Sequence, residues 1–491
     1  MKLYLCGHED RYAVEQLQLA LFPEESMEPV DAPFDGDGAV SALHTGRVWL
    51  TATARITLHG RTARALRRMK AEGAEVAARR RLLQNAYYDA AMQLREPPEW
   101  GSLSGVRPSK LTTRHLLAGG TVQSADRLMR DTYHVSPARR RLCIEASQAT
   151  VDAAARLRPQ DVSVYVGIPF CPTRCAYCSF VSSSIEKQAG LLEPYLDALE
   201  REIAHVGRLL RESGRTVRTL YMGGGTPTTL SAAQMERLMA AIERHFDLTE
   251  LIEYTVEGGR PDTLDLEKLS VIRRMGCDRM SINPQTMNDD ILCAIGRRHT
   301  GAQTVEAYRA AVEAGFEGIN MDLIAGLPGD TRDSFADSLS QVLALAPSNV
   351  TVHTLALKKG ADLFFARLGL PEEETVRAML ADTEAALRGA GYVPYYLYRQ
   401  KYMSGSFENV GWCKPGFEGL YNIYMMEELH SIISVGGGGM TKINLPGGRL
   451  ERFHNPKFPQ QYLERIEDVL LQKNAAFALL GAETESEKKG L

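Results

Sequence analysis

The chain has 491 residues, enough for two to four domains of about 150 residues and for a large buried core without disulfide bonds. Its composition, with 44% hydrophobic and 24% charged residues, is that of an ordinary globular protein and excludes disordered, collagen-like and fibrous classes. The 57 basic and 61 acidic residues leave a net charge of −4, so the chain as a whole has no excess of positive charge that would attract polyanions. We therefore do not expect nucleic acid as a partner.

The amino-terminal residues predict a cytoplasmic protein. Glu9, Asp10 and Arg11 interrupt the first apolar run before it reaches the length of a signal peptide. Elsewhere no uninterrupted apolar run approaches the ~18 residues of a membrane-spanning helix, so we expect no membrane partner.

Residues 1–157 have mixed patterns that predict an N-terminal accessory domain. It begins with the pattern of a strand, a helix and a second strand. Residues 61–81 carry eight Arg or Lys residues, which could form a basic patch. We interpret this stretch instead as a helix with a solvated basic face.

The central region, residues 158–375, alternates short β-branched or apolar runs with longer helical patterns, which predicts parallel βα units. The predicted strands are 163–168, 217–222, 252–257, 278–283, 318–324 and 350–355, and the predicted helices include 189–211, 231–245, 301–315 and 332–345. Six consecutive units favour an α/β fold of the partial TIM barrel type, with functional groups at the carboxyl ends of the strands. A doubly wound sheet is the competing architecture. Residues 376–491 lose this alternation and predict a C-terminal domain.

A cysteine triplet follows the first predicted strand. Cys171, Cys175 and Cys178 have the spacing C-x3-C-x2-C. Thiolates at this spacing can bind three irons of a [4Fe–4S] cluster and leave the fourth iron open to a substrate or cosubstrate. A structural zinc site is the alternative, although it commonly uses two separated ligand pairs and no second pair is nearby. The remaining cysteines stand singly and predict small buried side chains: Cys6, Cys143, Cys277, Cys293 and Cys413.

Three glycines, Gly223–Gly225, follow the second predicted strand and lead into Thr226. A backbone without side chains can lie directly against a ligand, although a tight turn would use the same residues. A later run, Gly436–Gly439, matches neither a P-loop nor a dinucleotide-binding motif.

Together the cysteine triplet and the glycine run resemble the motifs of radical S-adenosylmethionine (SAM) enzymes. The resemblance spans roughly residues 160–445 and extends to the branch that contains the oxygen-independent coproporphyrinogen III oxidases and related haem chaperones. It implies a radical SAM-type partial barrel, a [4Fe–4S] cluster held by the three cysteines, and SAM bound at the fourth iron.

The resemblance also implies a set of SAM contacts, because polar residues near the predicted strand ends match the family's positions in order and spacing. Each residue alone could instead be a cap or a hydrogen-bonded buried group. The implied contacts are Tyr165, Tyr177, Gly224, Gly225, Thr226, Glu257, Gln285, Arg297, Asp322 and Ala356.

Two positions depart from the best-known oxidases of the branch. Gly167 stands where those enzymes have a His, and Phe180 stands where they have a further Cys; the Phe is shared with the haem chaperones. Segments 105–111, 398–412 and 421–443 resemble instead a HemZ-like, coproporphyrinogen dehydrogenase subgroup, and this favours an oxidase.

The implied reaction is the anaerobic oxidative decarboxylation of two propionates of coproporphyrinogen III to vinyl groups, by a SAM-derived 5′-deoxyadenosyl radical and with a low-potential electron donor. Such a substrate requires cations, for which Arg399 and Lys401 in the tyrosine-rich stretch are candidates and Arg107 and Lys110 are weaker ones. The stretch could also be an ordinary surface strand with basic tips. A haem chaperone and another radical SAM enzyme, such as one that modifies RNA, remain alternative functions.

Overall fold

The computed structural model describes residues 1–22, 25–178, 183–356, 369–399 and 407–488, with side chains through residue 481. The chain divides into two compact units, Met1–Glu145 and Ala146–Leu491. Among the described helices, none has the length and apolar character needed to cross a membrane.

The first unit contains a five-stranded sheet with the order β2-β1-β3-β4-β5. Its strands are β1 (Lys2–Cys6), β2 (Glu28–Val30), β3 (Gly38–Thr45), β4 (Trp49–Leu58) and β5 (Arg61–Lys70). β1 pairs in parallel with β2 and β3, whereas β3, β4 and β5 are antiparallel. The helices of this region are Arg11–Leu21, Val76–Ala91, Ser109–Leu117, Val122–Arg127, the π-helix Leu128–Thr132 and Pro137–Ala154, the last of which continues into the second unit.

The prediction of a basic helix over residues 61–81 is wrong. Residues Arg61–Lys70 form the edge strand β5, and the helix begins only at Val76. A two-residue turn joins β4 to β5, with φ of 48° at His59 and 74° at Gly60. Both residues therefore adopt the left-handed conformation that two-residue hairpins favour. The basic residues, which are good helix formers, obscured this hairpin signal in the sequence.

The second unit is built on an eleven-stranded sheet. Its strands are β6 (Asp161–Ile168), β9 (Thr216–Gly224), β10 (Glu253–Glu257), β11 (Arg279–Ser281), β12 (Gly318–Ala325), β13 (Asn349–Thr354), β14 (Val393–Arg399), β15 (Glu408–Cys413), β16 (Ile432–Gly436), β17 (Met440–Leu445) and β18 (Arg449–His454). A separate two-residue pair consists of β7 (Phe170–Cys171) and β8 (Ser183–Ser184).

Several helices of this unit begin at polar caps. Ser231, Thr300 and Thr331 each form a capping box at the start of a crossover helix, which satisfies amide groups that have no partner within the helix. The helices are Ile185–Gln188, Leu192–Glu212, Ala232–His245, Leu266–Arg274, Asp289–Ala294, Gly301–Glu313, Arg332–Leu345, Glu373–Gly389, Leu420–Glu427, Pro459–Glu464 and Ile466–Lys488.

The strand order confirms the partial barrel. β6, β9, β10, β11, β12 and β13 pair in parallel in their order along the chain. Because the order never reverses, every crossover runs in the same direction and the crossover helices cover one face of the sheet. A doubly wound sheet reverses its strand order at a switch point, so that alternative is wrong.

Residues beyond 375 contribute to this same sheet. β16 adds a seventh parallel strand beside β6, and β17 and β18 extend that edge as antiparallel strands. β15 and β14 extend the opposite edge, antiparallel to β13 and to each other. The predicted C-terminal domain, residues 376–491, therefore shares the sheet and the compact unit of the barrel strands.

A buried polar network ties these C-terminal residues to the barrel. Glu202 and Lys473 are both fully buried, and their charged atoms lie 3.3 Å apart. Glu202 also accepts hydrogen bonds from the Tyr462 hydroxyl at 2.6 Å and from the Gly436 amide at 2.7 Å. Burial lowers the pKa of Lys473, while the contact with Glu202 opposes that shift. Removal of either charge leaves the other without its ionic partner.

We expect Lys473→Met to lower the free energy of unfolding by about 3–5 kcal/mol, because Glu202 would remain as a buried charge without its cation. Urea denaturation followed by circular dichroism measures the change. Lys457→Met, at an exposed position, is the matched control and should alter stability by less than about 0.5 kcal/mol. Equal stability of the two variants would contradict a structural role for the ion pair.

Candidate functional site

The cysteine loop follows β6 at the mouth of the barrel. Cys171 ends β7, and the Cys178 amide donates to the Cys175 carbonyl at 3.0 Å. Among the described side chains, no three His, Cys, Asp or Glu residues converge so as to hold one metal ion. Thiolates that each bind a separate iron of a cluster do not need to converge on one point, so the donor set fits a [4Fe–4S] cluster.

The glycine turn lies directly against this loop. The Gly225 amide donates to the Ile168 carbonyl at 2.8 Å, and the Thr226 amide donates to the Phe170 carbonyl at 2.7 Å. A Cβ on Gly225 would lie 2.8 Å from the carbonyl carbon of Phe170 and 3.0 Å from the Cys171 sulfur. The Thr226 hydroxyl is 3.5 Å from that sulfur. Glycine at position 225 is therefore required by the close approach of the two segments.

Arg297 connects the cysteine loop to the segment after β11. Its guanidinium donates to the Tyr177 hydroxyl at 2.9 Å and to the Asn283 carbonyl at 2.7 Å. Burial lowers the pKa of Arg297, but Tyr177 and Cys175 more than offset this, so the side chain stays cationic. The Nε atom of Arg297 is buried and has no hydrogen-bond partner in the described structure. This donor fits a ligand that carries a carboxylate, as SAM does.

Glu257 lies at the carboxyl end of β10, beside the glycine turn. It accepts hydrogen bonds from the Tyr221 hydroxyl and, at 3.3 Å, from the Gly224 amide. Burial raises the pKa of Glu257 to about 7 and the negative charge of Asp322 adds to the shift, whereas the Tyr221 hydrogen bond opposes it. A cationic ligand group such as an ammonium would stabilise the ionised form of this carboxyl group.

The pKa of Asp322, on β12, shifts in the opposite direction from that of Glu257. Burial raises its pKa, but His353 and Asn320 outweigh burial, so the pKa of Asp322 is lowered overall. The His353 Nε2 atom lies 3.6 Å from the carboxylate, and the Asn320 amide donates to it at 2.7 Å. The carboxylate is therefore anionic and suited to accept hydrogen bonds from hydroxyl groups.

Gln285 and Ala356 complete the predicted SAM contacts. The Gln285 amide donates to the Asp322 carbonyl at 2.9 Å, and Gln285 has a φ of 70°, an uncommon conformation for a residue other than glycine. Ala356 follows β13 and is partly exposed. The structure thus gathers the predicted residues around the carboxyl ends of β6 and of β9 to β13, while their contacts with SAM stay a prediction.

Three residues on the inner face of the barrel were not predicted from the sequence: Tyr221, Tyr421 and His353. Tyr165 stacks on Tyr221 with ring centroids 6.3 Å apart, and Tyr221 stacks on Tyr421 at 4.4 Å. Tyr421 belongs to the helix Leu420–Glu427, on the face of the sheet opposite the crossover helices. His353 is the third missed residue. For Tyr221 and His353 the available signal was the two-residue alternation along β9 and β13, whereas no sequence pattern indicated Tyr421.

Arg399 does not lie on a surface strand. β14 is largely buried and Arg399 is 7% exposed, so that alternative is wrong. Glu408 is its cross-strand neighbour. Burial lowers the pKa of Arg399 to about 10, and Glu408 opposes that shift. Lys401 and Phe180 lie outside the described residues, and Arg107 and Lys110 belong to the first unit.

The isolated cysteines meet the expectation in part. Cys143, Cys277 and Cys413 are buried, but Cys6 and Cys293 are exposed, so the prediction of a buried side chain is wrong for these two. Cys6 ends the short strand β1, and Cys293 lies near the end of the six-residue helix Asp289–Ala294. Elements this short gave little periodicity from which burial could be inferred.

Gly167 has a steric explanation. A Cβ at this position would lie 2.5 Å from the carbonyl oxygen of Gly437, in the run Gly436–Gly439. The Tyr195 hydroxyl donates to the Gly167 carbonyl at 2.6 Å and accepts from the Gly437 amide at 2.7 Å. The glycine run thus fills the space that a larger side chain at position 167 would need.

Comparisons with known proteins show what the chain is similar to. A family model described as the radical SAM superfamily matches residues 165–342. The chain is 41% identical to "Oxygen-independent coproporphyrinogen-III oxidase-like protein HemZ" of Bacillus subtilis (strain 168), over 76% of each chain. It is 31% identical to "Heme chaperone HemW" of the same organism, over 58% of this chain and 73% of that protein. Among solved structures, the coproporphyrinogen III oxidase HemN from Escherichia coli, described as a radical SAM enzyme, matches with a TM-score of 0.52 and 28% identity, over 65% of this chain and 72% of that chain.

The similarity to HemZ extends well beyond the barrel strands that radical SAM proteins share, since it covers 76% of the chain. Radical SAM proteins use a [4Fe–4S] cluster and SAM, and these are the cofactors of this chain. The protein belongs to the radical SAM superfamily and, within it, to the family of the oxygen-independent coproporphyrinogen III oxidase-like proteins represented by HemZ.

Proposed function

We propose that the protein converts coproporphyrinogen III to protoporphyrinogen IX without oxygen, by oxidative decarboxylation of two propionate groups to vinyl groups. The observation that carries the proposal is the 41% identity to HemZ over 76% of the chain, a share larger than the barrel strands alone occupy. The identity to the haem chaperone HemW is 31% over a smaller share, 58%.

In this proposal the mouth of the barrel holds both cofactors. Cys171, Cys175 and Cys178 bind the cluster through their thiolates. Glu257 holds the ammonium group of SAM, and the Nε atom of Arg297, which has no partner in the described structure, donates to its carboxylate. The anionic Asp322 accepts hydrogen bonds from ribose hydroxyls.

When bound, the cluster and SAM supply the radical chemistry that removes a hydrogen atom from the propionate. The residues of this chain position the groups and exclude water. Tyr165, Tyr221 and Tyr421 fill part of the inner face of the barrel with stacked rings, which limits solvent access from that side. For each propionate, carbon dioxide and one electron leave as the vinyl group forms, so a low-potential electron donor and an electron acceptor are both required.

The substrate carries four carboxylates, and we propose Arg399 and Lys401 as cations for them. Arg399 has Glu408 beside it, so its charge is partly balanced within the protein. A haem chaperone is the second candidate function. The 31% identity to HemW favours it.

Anaerobic incubation of the reconstituted protein with SAM, a reductant and coproporphyrinogen III tests the proposed activity. We expect protoporphyrinogen IX, together with about two molecules each of methionine and 5′-deoxyadenosine per product, since two propionates react. Liquid chromatography of the porphyrins after oxidation measures the product. Tight haem binding without any protoporphyrinogen would support the chaperone and contradict the oxidase.

Replacement of the cysteines one at a time tests the cluster ligands. Cys171→Ala, Cys175→Ala or Cys178→Ala should remove most of the iron, which we expect at about four atoms per chain in the reconstituted wild type. Iron analysis and the visible absorbance of the cluster measure the loss. Cys277→Ala at a buried position and Cys293→Ala at an exposed position are the controls and should keep the cluster. Stoichiometric zinc without iron would contradict the assignment.

The raised pKa of Glu257, about 7, predicts a pH dependence of SAM binding. SAM affinity should increase as the pH rises from about 6 to 8, because the carboxylate that attracts the ammonium forms over this range. In the absence of SAM, the free energy of unfolding has the opposite pH dependence. The folded state favours the protonated carboxyl of Glu257, so this contribution to stability is lost as the pH rises through about 7. Anaerobic calorimetry and urea denaturation measure the two effects.

Glu257→Gln is the matched variant for this prediction. It should weaken SAM binding by about 1–3 kcal/mol and remove both pH dependences, since the amide does not titrate. Tyr221→Phe removes a hydrogen bond that lowers the pKa of Glu257. The midpoint of the pH dependence of SAM affinity should therefore move to higher pH. SAM binding that is independent of pH in the wild type would contradict the role of Glu257.

A further inference from the structure

Within the described part of the chain, two helices cover one face of the sheet of the first unit. The helices Arg11–Leu21 and Val76–Ala91 pack on Leu50, Ala52 and the other inward residues of β4. The alternate residues of β4 and β5 point to the opposite side, which we call the outer face. They are Trp49, Thr51, Thr53, Arg55, Thr57, Thr62, Arg64, Leu66, Arg68 and Lys70, and each is partly or fully exposed.

The outer face is strongly basic. Arg55, Arg64, Arg68 and Lys70 are among its ten residues, and none of the ten is acidic. Arg55 and Arg64 are directly opposite each other in the β4–β5 register. Like charges at such positions destabilise a sheet, so this pair has a cost that a bound anion would remove.

These cations differ from the basic residues that face the helices. On the covered side, Arg67 pairs with Asp89, and Arg80 pairs with Asp10 at 2.6 Å. Within the described structure, no carboxylate forms an ion pair with the four basic residues of the outer face. The outer face therefore presents positive charge that no ion pair of the described residues neutralises.

The same face also exposes apolar surface. Trp49 is 47% exposed and Leu66 is 52% exposed. Trp49 is the cross-strand neighbour of Lys70, so a flat aromatic ring lies beside a cation. The basic residues on β5 alternate along one side of the strand, which spaces neighbouring positions by about 7 Å. Stacking surfaces combined with a row of cations are the features with which proteins bind single-stranded nucleic acids.

Protection of a sheet edge against aggregation explains only part of this pattern. Charged residues commonly protect an edge strand, and β5 is such an edge. Arg55, however, lies on β4, which is paired on both sides. The exposed ring of Trp49 would also oppose such protection, because exposed apolar surface promotes association.

We propose that the outer face of β4 and β5 binds single-stranded nucleic acid. Arg55, Arg64, Arg68 and Lys70 contact the phosphates, and Trp49 stacks on a base. The net charge of −4 argued against such a partner only as an average over the whole chain, whereas these cations are gathered on one face. The proposal is independent of the proposed porphyrinogen chemistry.

Fluorescence anisotropy with the full-length protein and labelled oligouridine, at several salt concentrations, tests the proposal. Arg64→Gln/Arg68→Gln/Lys70→Gln should weaken binding about tenfold or more at low salt. It should also reduce the salt dependence of binding. The slope of log association constant against log salt concentration should become shallower by about 2, because each of the three lost phosphate contacts contributes ~0.7. Trp49→Leu should weaken binding about fivefold or more and leave the slope unchanged, because stacking releases no counterions. Oligodeoxythymidine distinguishes an RNA from a DNA partner.

Arg244→Gln/Arg309→Gln/Lys457→Gln is the matched control, since it removes the same charge from exposed positions of the second unit. It should bind oligouridine as the wild type does. Equal loss in both triple variants, or no binding by the wild type at low salt, would overturn the proposal, as would binding to phosphatidylserine vesicles without binding to either oligonucleotide. SAM cleavage should be unchanged in every variant, so this test fails or succeeds separately from the test of the proposed function.

Discussion

Gly225 lies so close to the cysteine loop that no side chain fits between the two segments. Backbone hydrogen bonds from Gly225 and Thr226 to the loop hold this approach, at 2.8 and 2.7 Å. Because β9 continues into this turn, the position of the loop is set by the parallel pairing of β6 with β9. The same turn presents the Gly224 amide to Glu257 on the next strand. One steric constraint thus links the cysteines, the glycine turn and the carboxylates of the mouth.

Two carboxyl groups at this mouth differ in their tendency to ionise, and their partners explain the difference. Glu257 has a tyrosine hydroxyl and an amide, which compensate burial only partly, and its pKa rises to about 7. Asp322 has His353 and Asn320, and its pKa is lowered. The first group therefore gains most from a cation that arrives with a ligand, whereas the second is already balanced by the protein. The two carboxyl groups are therefore suited to different functional groups of a ligand.

The local sequence pattern was sufficient to predict the strands and helices of the barrel. Six strands and their crossover helices followed from alternating apolar runs, and the observed ends differ from the predicted ones by only a few residues. Long-range pairing was not accessible in this way. β16 joins β6 across more than 260 residues, and Tyr421 reaches Tyr221 only because the helix Leu420–Glu427 lies on the inner face of the barrel. The basic strand β5 was missed because its composition favours a helix while its turn fixes a hairpin.

The pairing of β16 with β6 also explains Gly167, one of the two positions that depart from the oxidases. Gly167 is compatible with either an oxidase or a chaperone if it is considered alone. In the structure, β16 brings Gly437 against Gly167, and the Tyr195 hydroxyl bridges the two backbones. A His at position 167 is therefore excluded by packing against this chain's own glycine run. Because packing alone accounts for the glycine, its presence is no evidence that the oxidase chemistry was lost, and the choice between the two functions depends on the residues that would contact the substrate.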